Sequence, residues 1–243
     1  MYPEARHLRK LERETLRCIS QVGEFGRLGA LQAQANAFVN SINESRGPIN
    51  INLGFTMDIR LRADRREKLV QRRIDIGALV EVASDHKVIT NASYSLVICK
   101  QADPATSPVI RKLHFDYEPV AVRNTSEPKP TLHMQVCGLL SPHHFAAGYT
   151  EMRLQALYPR FEKPRIPVAP TSIALMLNWI LVEFQSELAA PIILRNPRWR
   201  ALVSEAERLI LRPYYESAAT FLKSAAHKDK RFLQTHLYEM VVD

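Results

Sequence analysis

The chain has 243 residues, which is enough for one large domain or two small ones with a core of their own. A hydrophobic content of 46% is that of a folded protein and excludes general disorder. The 33 lysines and arginines outnumber the 25 aspartates and glutamates, and the net charge of +8 favours an acidic partner such as nucleic acid.

Cysteine usage and hydropathy indicate the compartment. Cys18, Cys99 and Cys137 are far apart, odd in number and without the spacing of a zinc or disulfide motif. The N-terminus is charged from its start, and the longest apolar run, 173–182, is about half a bilayer span. We therefore expect a cytoplasmic protein in a reducing environment, with no membrane contact.

The N-terminal part, residues 1–47, predicts two helices. Between residues 4 and 26, apolar side chains recur at spacings of three and four, which is typical of an amphipathic helix. A second, alanine-rich helix is predicted over 30–43, and the Ser-Arg-Gly-Pro run at 45–48 ends it.

The central part, residues 48–141, predicts a sheet. It is rich in Ile, Val, Thr and aromatic residues, with alternating apolar and polar positions. The five candidate strands are 50–61, 69–83, 87–100, 109–121 and 130–140. The short connections between them favour an antiparallel meander.

The C-terminal part, residues 165–243, is predicted to be helical. A helix over 171–188, capped by Thr171 or Ser172, is apolar nearly all round, so it is buried on several sides or faces a partner. Another helix, 197–224, should be kinked or broken near Pro213. The whole chain, 1–243, therefore predicts a single α+β domain, in which a roughly five-stranded antiparallel β-sheet packs against N-terminal and C-terminal α-helices.

Two of the predicted strands carry polar side chains that could form a site. His114, Asp116 and Glu118 share one side of strand 109–121, and His133 and Gln135 share one side of strand 130–140. If the strands pair as a hairpin, one register places Asp116 opposite His133, whereas a slip of two residues places His114 there. Either register gathers two imidazoles and a carboxylate on one face.

Three interpretations of this face remain open. His114, Asp116 and His133 are candidate catalytic residues, because an imidazole titrates near neutrality and a carboxylate can orient it. Within this first, chemical interpretation, the same three residues could instead hold a divalent metal. The second interpretation is that the face binds a ligand without catalysis, and the third is an ordinary solvated sheet face. We assign no metal ligand and expect no cofactor.

A basic segment at 59–75 is the candidate nucleic-acid contact. A basic hairpin end can grip phosphates without reading bases. The alternative is a solvated hairpin with internal Asp–Arg pairs. The candidate phosphate-binding residues are Arg60, Arg62, Arg65, Arg66, Lys68, Arg72 and Arg73.

Motifs that would indicate other activities are absent from the sequence. It contains no P-loop, no GxGxxG, no GxSxG and no HExxH. This argues against a nucleotide-driven motor, a dehydrogenase, an α/β-hydrolase and a zincin.

The order of elements over about residues 94–184 resembles the TumE-type family of bacterial toxins and phage-defence proteins. The positions that carry the resemblance are Arg111, Asp116, Pro130, His133 and the helix at 171–184. It covers under half of the chain, the N-terminal part and the C-terminal extension are additional, and the family's adjacent histidines are reduced here to His133. The resemblance implies a toxin or a phage-defence context.

These observations predict a nucleic-acid-associated effector or toxin of a bacterial defence or toxin–antitoxin system that cleaves RNA. In the alternative, the chain is a non-catalytic subunit of a defence complex, docking through the apolar helices within 171–224 and the basic hairpin. A binding module for an anionic small ligand is the third reading. Whether the protein is an enzyme stays open at this point.

Overall fold

A computed structural model describes residues 3–44, 48–63, 66–99, 109–119, 132–136, 165–184 and 189–223. The N-terminal helices are α1 (Ala5–Gln21), a 3-10 helix (Gly23–Arg27) and α2 (Leu31–Glu44). The strands are β1 (Ile49–Ala63), β2 (Arg66–Val82), β3 (Ile89–Cys99), β4 (Val109–Tyr117), β5 (Leu132–Val136) and β6 (Arg165–Pro167). The C-terminal helices are α3 (Ile173–Glu183), α4 (Ala190–Arg195), α5 (Pro197–Ala206), a π-helix (Glu207–Leu211) and α6 (Arg212–Lys223).

The strands form one antiparallel meander in the order β1-β2-β3-β4-β5-β6. The α+β class and the five predicted strands are confirmed. The three-residue strand β6 is an addition, because its segment was included in the C-terminal part that was predicted to be helical. It pairs with β5 through Met134 and Ile166 and continues the sheet by one strand.

The sheet has two chemically different faces. The inner face packs on the helices, and its side chains are buried. Alternate residues point to opposite faces of a strand, so the polar positions collect on the other, outer face. Representative inner-face residues are Leu53, Phe55, Ile76, Tyr94 and Leu96, and representative outer-face residues are Asn52, Asp75, Ser93, Ser95 and Asp116.

Helices from both ends of the chain complete one core. A single cluster of buried residues includes Leu8 and Ile19 of α1, Leu177 of α3 and Trp199 of α5. The Trp199 ring meets Phe25 edge-on, with 5.2 Å between ring centroids. Helices that are distant in sequence therefore contribute to the same core.

Helix α3 begins where the sequence predicted. Ser172 is the N-cap, and its side chain accepts a hydrogen bond of 3.3 Å from the Leu175 amide. The helix ends at Glu183, earlier than the predicted residue 188. The helix contains one side-chain amide, that of Asn178. Its Oδ1 accepts a hydrogen bond of 3.1 Å from Nε1 of Trp199, and this contact explains a polar residue in an apolar run.

The long C-terminal helix is interrupted as predicted. The π-helix Glu207–Leu211 lies just before Pro213. Proline has no amide hydrogen for the carbonyl of Leu209, and its ring crowds that carbonyl, so a regular α-helical ladder cannot pass this point. In the part of the chain that the structure describes, no helix combines the length and apolar character needed to cross a bilayer.

Candidate functional site

Strands β3, β4 and β5 bring a row of polar residues together on the outer face. Ser93 lies opposite Asp116, and Asp116 lies opposite His133. The next row contains Ser95, His114 and Gln135. We call the six residues Ser93, His114, Asp116, Glu118, His133 and Gln135 the β4–β5 site.

The first of the two predicted registers is confirmed. Asp116 pairs with His133 and His114 pairs with Gln135, whereas the slipped pairing of the two histidines does not occur. Nε2 of His133 lies 3.8 Å from Oδ2 of Asp116. The His133 side chain is 0% exposed and that of Asp116 is 14% exposed, so the pair is withdrawn from solvent although it lies on the outer face.

Ser93 orients the carboxylate. Its Oγ donates a hydrogen bond of 2.6 Å to Oδ1 of Asp116. A hydrogen bond that short from a hydroxyl to a carboxylate is charge-assisted. Ser93 therefore holds one oxygen of Asp116 while the other faces His133. Ser93 was not predicted as part of the site, because only strands 109–121 and 130–140 contributed residues to the predicted site.

His114 lies beside this pair as a neutral base. Burial lowers the pKa of the His114 imidazole, and the positive charge of Lys112 lowers that pKa further, while the negative charge of Asp116 acts in the opposite direction. Because the ordinary pKa of histidine already lies below 7, lowering it favours the neutral imidazole at neutral pH. It can then accept a proton.

Glu118 completes a group with metal-ligand geometry. One ligand atom from each of Asp116, Glu118 and His133 lies within 4.8 Å of the others. His114, which the sequence analysis included among possible metal ligands, is not a member of this group. Glu118 follows Asp116 at a spacing of two, so the sequence already placed it on the same face.

The basic hairpin lies far from the β4–β5 site. Arg65 lies outside the described residues, while Arg60 pairs with Leu69, Arg62 with Glu67 and Ala63 with Arg66 near the end of the β1–β2 hairpin. Leu79 is the β2 residue in the row of Ser93 and Asp116. The 13 residue-to-residue steps from Arg66 to Leu79 span about 43 Å of extended strand. Bound nucleic acid would need about a dozen base pairs to reach both places.

Arg73, at the base of this hairpin, is engaged within the protein. Its Nε and one terminal nitrogen lie 3.0 and 2.8 Å from Oδ1 of Asp75. The pair lies over Gly54, where a Cβ atom would overlap the guanidinium. This is an internal Asp–Arg pair of the kind that the alternative interpretation expected. Arg72 is half-buried and donates a hydrogen bond of 3.1 Å to the Gln71 carbonyl.

A second ionisable residue, Glu12 of α1, is fully buried away from this site. Burial raises its pKa to about 7, against the opposing effect of hydrogen bonds from Tyr94 and from the Ile173 amide. Glu12 was not among the residues that were predicted to form a site. The available signal was its position on the apolar stripe of α1, four residues after Leu8 and four before Leu16.

Together these features define an α+β protein whose outer sheet face carries a histidine–carboxylate cluster. Comparison of the chain with protein-family models, with curated proteins and with solved structures found no match.

The resemblance to TumE-type toxins stays a prediction. Of the positions that carry it, Arg111 lies in β4, Asp116 and His133 are cross-strand partners, and Pro130 lies outside the described residues.

Proposed function

We propose that the protein is a nucleic-acid-associated effector of a bacterial defence or toxin–antitoxin system, and that it cleaves RNA at the β4–β5 site. The observation that carries the proposal is the direct pairing of Asp116 with a fully buried His133, beside the neutral imidazole of His114. Titratable groups that burial and charge perturb together are typical of catalytic sites.

The chemistry needs two proton transfers. A base removes the proton from a ribose 2′-hydroxyl, whose oxygen attacks the neighbouring phosphorus. The bond from phosphorus to the 5′ oxygen breaks, and that oxygen takes up a proton, which leaves a 2′,3′-cyclic phosphate and a 5′-hydroxyl. Neutral His114 is suited to the first transfer. The Asp116–His133 pair lies one row away, about 7 Å along the strand, where His133 or a water held by the pair would give the leaving oxygen its proton.

The positive charge of the chain supports a polyanionic substrate. The net charge is +8, and four basic residues, Arg60, Arg62, Arg66 and Lys68, lie toward the end of the β1–β2 hairpin. Contacts to phosphates supply affinity without sequence selection. The hairpin would bind one part of the nucleic acid while the β4–β5 site cleaves another part of the same molecule.

The test is a denaturing gel of labelled RNA and DNA pools incubated with the wild type, His114→Ala, His133→Ala and the control His7→Ala, which removes an exposed histidine of α1. Loss of general base catalysis should slow cleavage by His114→Ala by roughly 10²–10⁴-fold. His7→Ala should cleave like the wild type. A folded wild type that cleaves neither pool contradicts the proposal.

The second candidate function is that of a non-catalytic subunit. Most of α3 is buried in the chain's own core, but Trp179 and Val182 lie on one helix face and are 42% and 43% exposed, and Ile192 of α4 is 41% exposed. Large exposed apolar side chains are typical of a contact surface. Trp179→Gln with Val182→Gln should then abolish capture of a stoichiometric partner without changing the melting temperature.

A further inference from the structure

We infer that Asp116, Glu118 and His133 bind a divalent transition-metal ion of the Mn²⁺ or Zn²⁺ class. The three ligand atoms lie within 4.8 Å of one another, and Nε2 of His133 lies 3.8 Å from Oδ2 of Asp116. Metal–ligand bonds of about 2.1 Å place neighbouring ligand atoms about 3.0–3.4 Å apart. The group therefore needs only a small closure around an ion.

The backbone supplies this arrangement. Asp116 and Glu118 are two residues apart, and Asp116 is the direct cross-strand partner of His133. The imidazole is therefore opposite one carboxylate and diagonal to the other, with all three side chains on the outer face. Three ligands on one side of an ion leave its other side open for water or substrate.

Burial and orientation distinguish the group from acidic residues on an ordinary surface. His133 is buried, and Asp116 and Glu118 are half-buried. Two carboxylates drawn together with partial loss of solvent repel each other unless a positive charge joins them. The hydrogen bond from Ser93 to Oδ1 of Asp116 fixes that carboxylate, in the way that outer partners orient metal ligands.

The donor set favours a first-row divalent ion. Imidazole nitrogen suits Zn²⁺ and its neighbours, and carboxylate oxygen suits Mn²⁺ and Mg²⁺, so a mixed set selects the ions that accept both. The inference rests on the proposed function only for the role of the ion in cleavage. There it would stabilise the leaving 5′ oxygen, and its bound water would supply the proton, opposite His114.

The test measures metal binding without RNA. Mn²⁺ or Zn²⁺ is titrated into the purified full chain by calorimetry, and free Mn²⁺ is followed by its electron paramagnetic resonance signal. We expect one equivalent to bind to the wild type. Glu118→Gln should lower the affinity by roughly 10–100-fold or more, since loss of an outer partner alone has an effect of that size.

Two variants serve as controls. Glu81→Gln removes an exposed carboxylate elsewhere on the same sheet face and should bind like the wild type. His114→Ala should also retain the ion, although it loses cleavage. A wild type that binds neither ion, or a Glu118→Gln variant that binds as tightly as Glu81→Gln, overturns the inference.

The outcomes also separate this inference from the proposed function. If the protein binds the ion but cleaves no RNA, the metal site is supported and the proposed nuclease activity is contradicted. If the protein binds neither ion and cleaves RNA at the same rate with and without EDTA, the nuclease activity is supported and the metal site is contradicted.

Discussion

The hydroxyl of Tyr94 donates a hydrogen bond of 2.8 Å to Oε1 of Glu12, across 82 residues of sequence. The amide of Ile173 donates a second hydrogen bond of 3.2 Å to the same oxygen. One buried carboxyl group therefore connects α1, β3 and the first turn of α3. Among the described residues, no donor reaches its other oxygen, Oε2.

This carboxyl group makes stability depend on pH. Burial raises the pKa of Glu12 to about 7 from its usual value of 4.5, so the folded state binds more protons than the unfolded state between these values. The associated stability is fully present below pH 4.5 and is lost as the pH rises through 7. We expect the free energy of unfolding to fall by about 3 kcal/mol over this range.

Urea denaturation at pH 5 and pH 8 measures this change. Glu12→Gln retains an oxygen acceptor for Tyr94 and Ile173 but cannot ionise, so its free energy of unfolding should lack this component. An equal pH dependence in the wild type and in Glu12→Gln would show that another group is responsible.

Ser93→Ala tests the orientation of Asp116. The change removes the 2.6 Å hydrogen bond to Oδ1 and frees the carboxylate to rotate. We expect metal affinity to fall roughly 10–100-fold and the cleavage rate at saturating RNA to fall with it, as for other outer partners of metal ligands. The matched control is Ser95→Ala in the next row. If both variants behave alike, the hydroxyl of Ser93 has no specific role.

Substitution of the hairpin arginines should change binding and leave chemistry intact. Arg60→Gln with Arg62→Gln removes two positive charges near the hairpin end, about 33 Å and about 40 Å along the strand from the row of Asp116. The RNA affinity should fall, and the slope of log K against log salt should decrease by about 0.7 per lost phosphate contact. The maximal cleavage rate should not change.

The control for charge alone is Arg27→Gln with Lys87→Gln, which removes two exposed positive charges elsewhere. Equal losses of affinity in the two double variants would mean that net charge, and not the hairpin, determines RNA binding.

Asn178→Leu should destabilise the helical layer. It leaves the buried indole N–H of Trp199 without its acceptor, at a cost of about 1–3 kcal/mol in the free energy of unfolding. In a Trp199→Phe background the same substitution should cost less, because the donor is already gone. Chemical denaturation of the four proteins gives the coupling, and a coupling of zero would contradict the assigned role of this hydrogen bond.

The sequence was sufficient for the strands, and it limited the cross-strand partner of His133 to Asp116 or His114. Their alternating polar pattern allows a side chain to face the core or the solvent, but not both, so few registers satisfy it. The start of α3 was equally predictable from Ser172, because a serine at that position caps a helix by local hydrogen bonding. Its end at Glu183 was not, because no glycine or proline marks it.

Relationships between distant residues could not be read from local patterns. The partner of Glu12 is on β3, and the partner of Arg73 depends on the absence of a side chain at Gly54. The remoteness of the hairpin end from Asp116 follows from how far β1 and β2 extend beyond β3. Spacing along the chain gives the face of each strand, whereas these contacts depend on the register between strands and on helix packing.

The backbone donors of the edge strands β1 and β6 limit the pairing of one molecule's sheet with another's. At one edge, the Gly54 amide donates a hydrogen bond of 2.6 Å to Oε1 of Gln34, so this donor is occupied. At the other, the Val168 amide donates to the Leu132 carbonyl, so the preceding nitrogen, that of Pro167, points away from β5 and has no hydrogen to offer. An incoming strand finds fewer donors at either edge, which protects the meander against the edge-to-edge pairing that leads to aggregates.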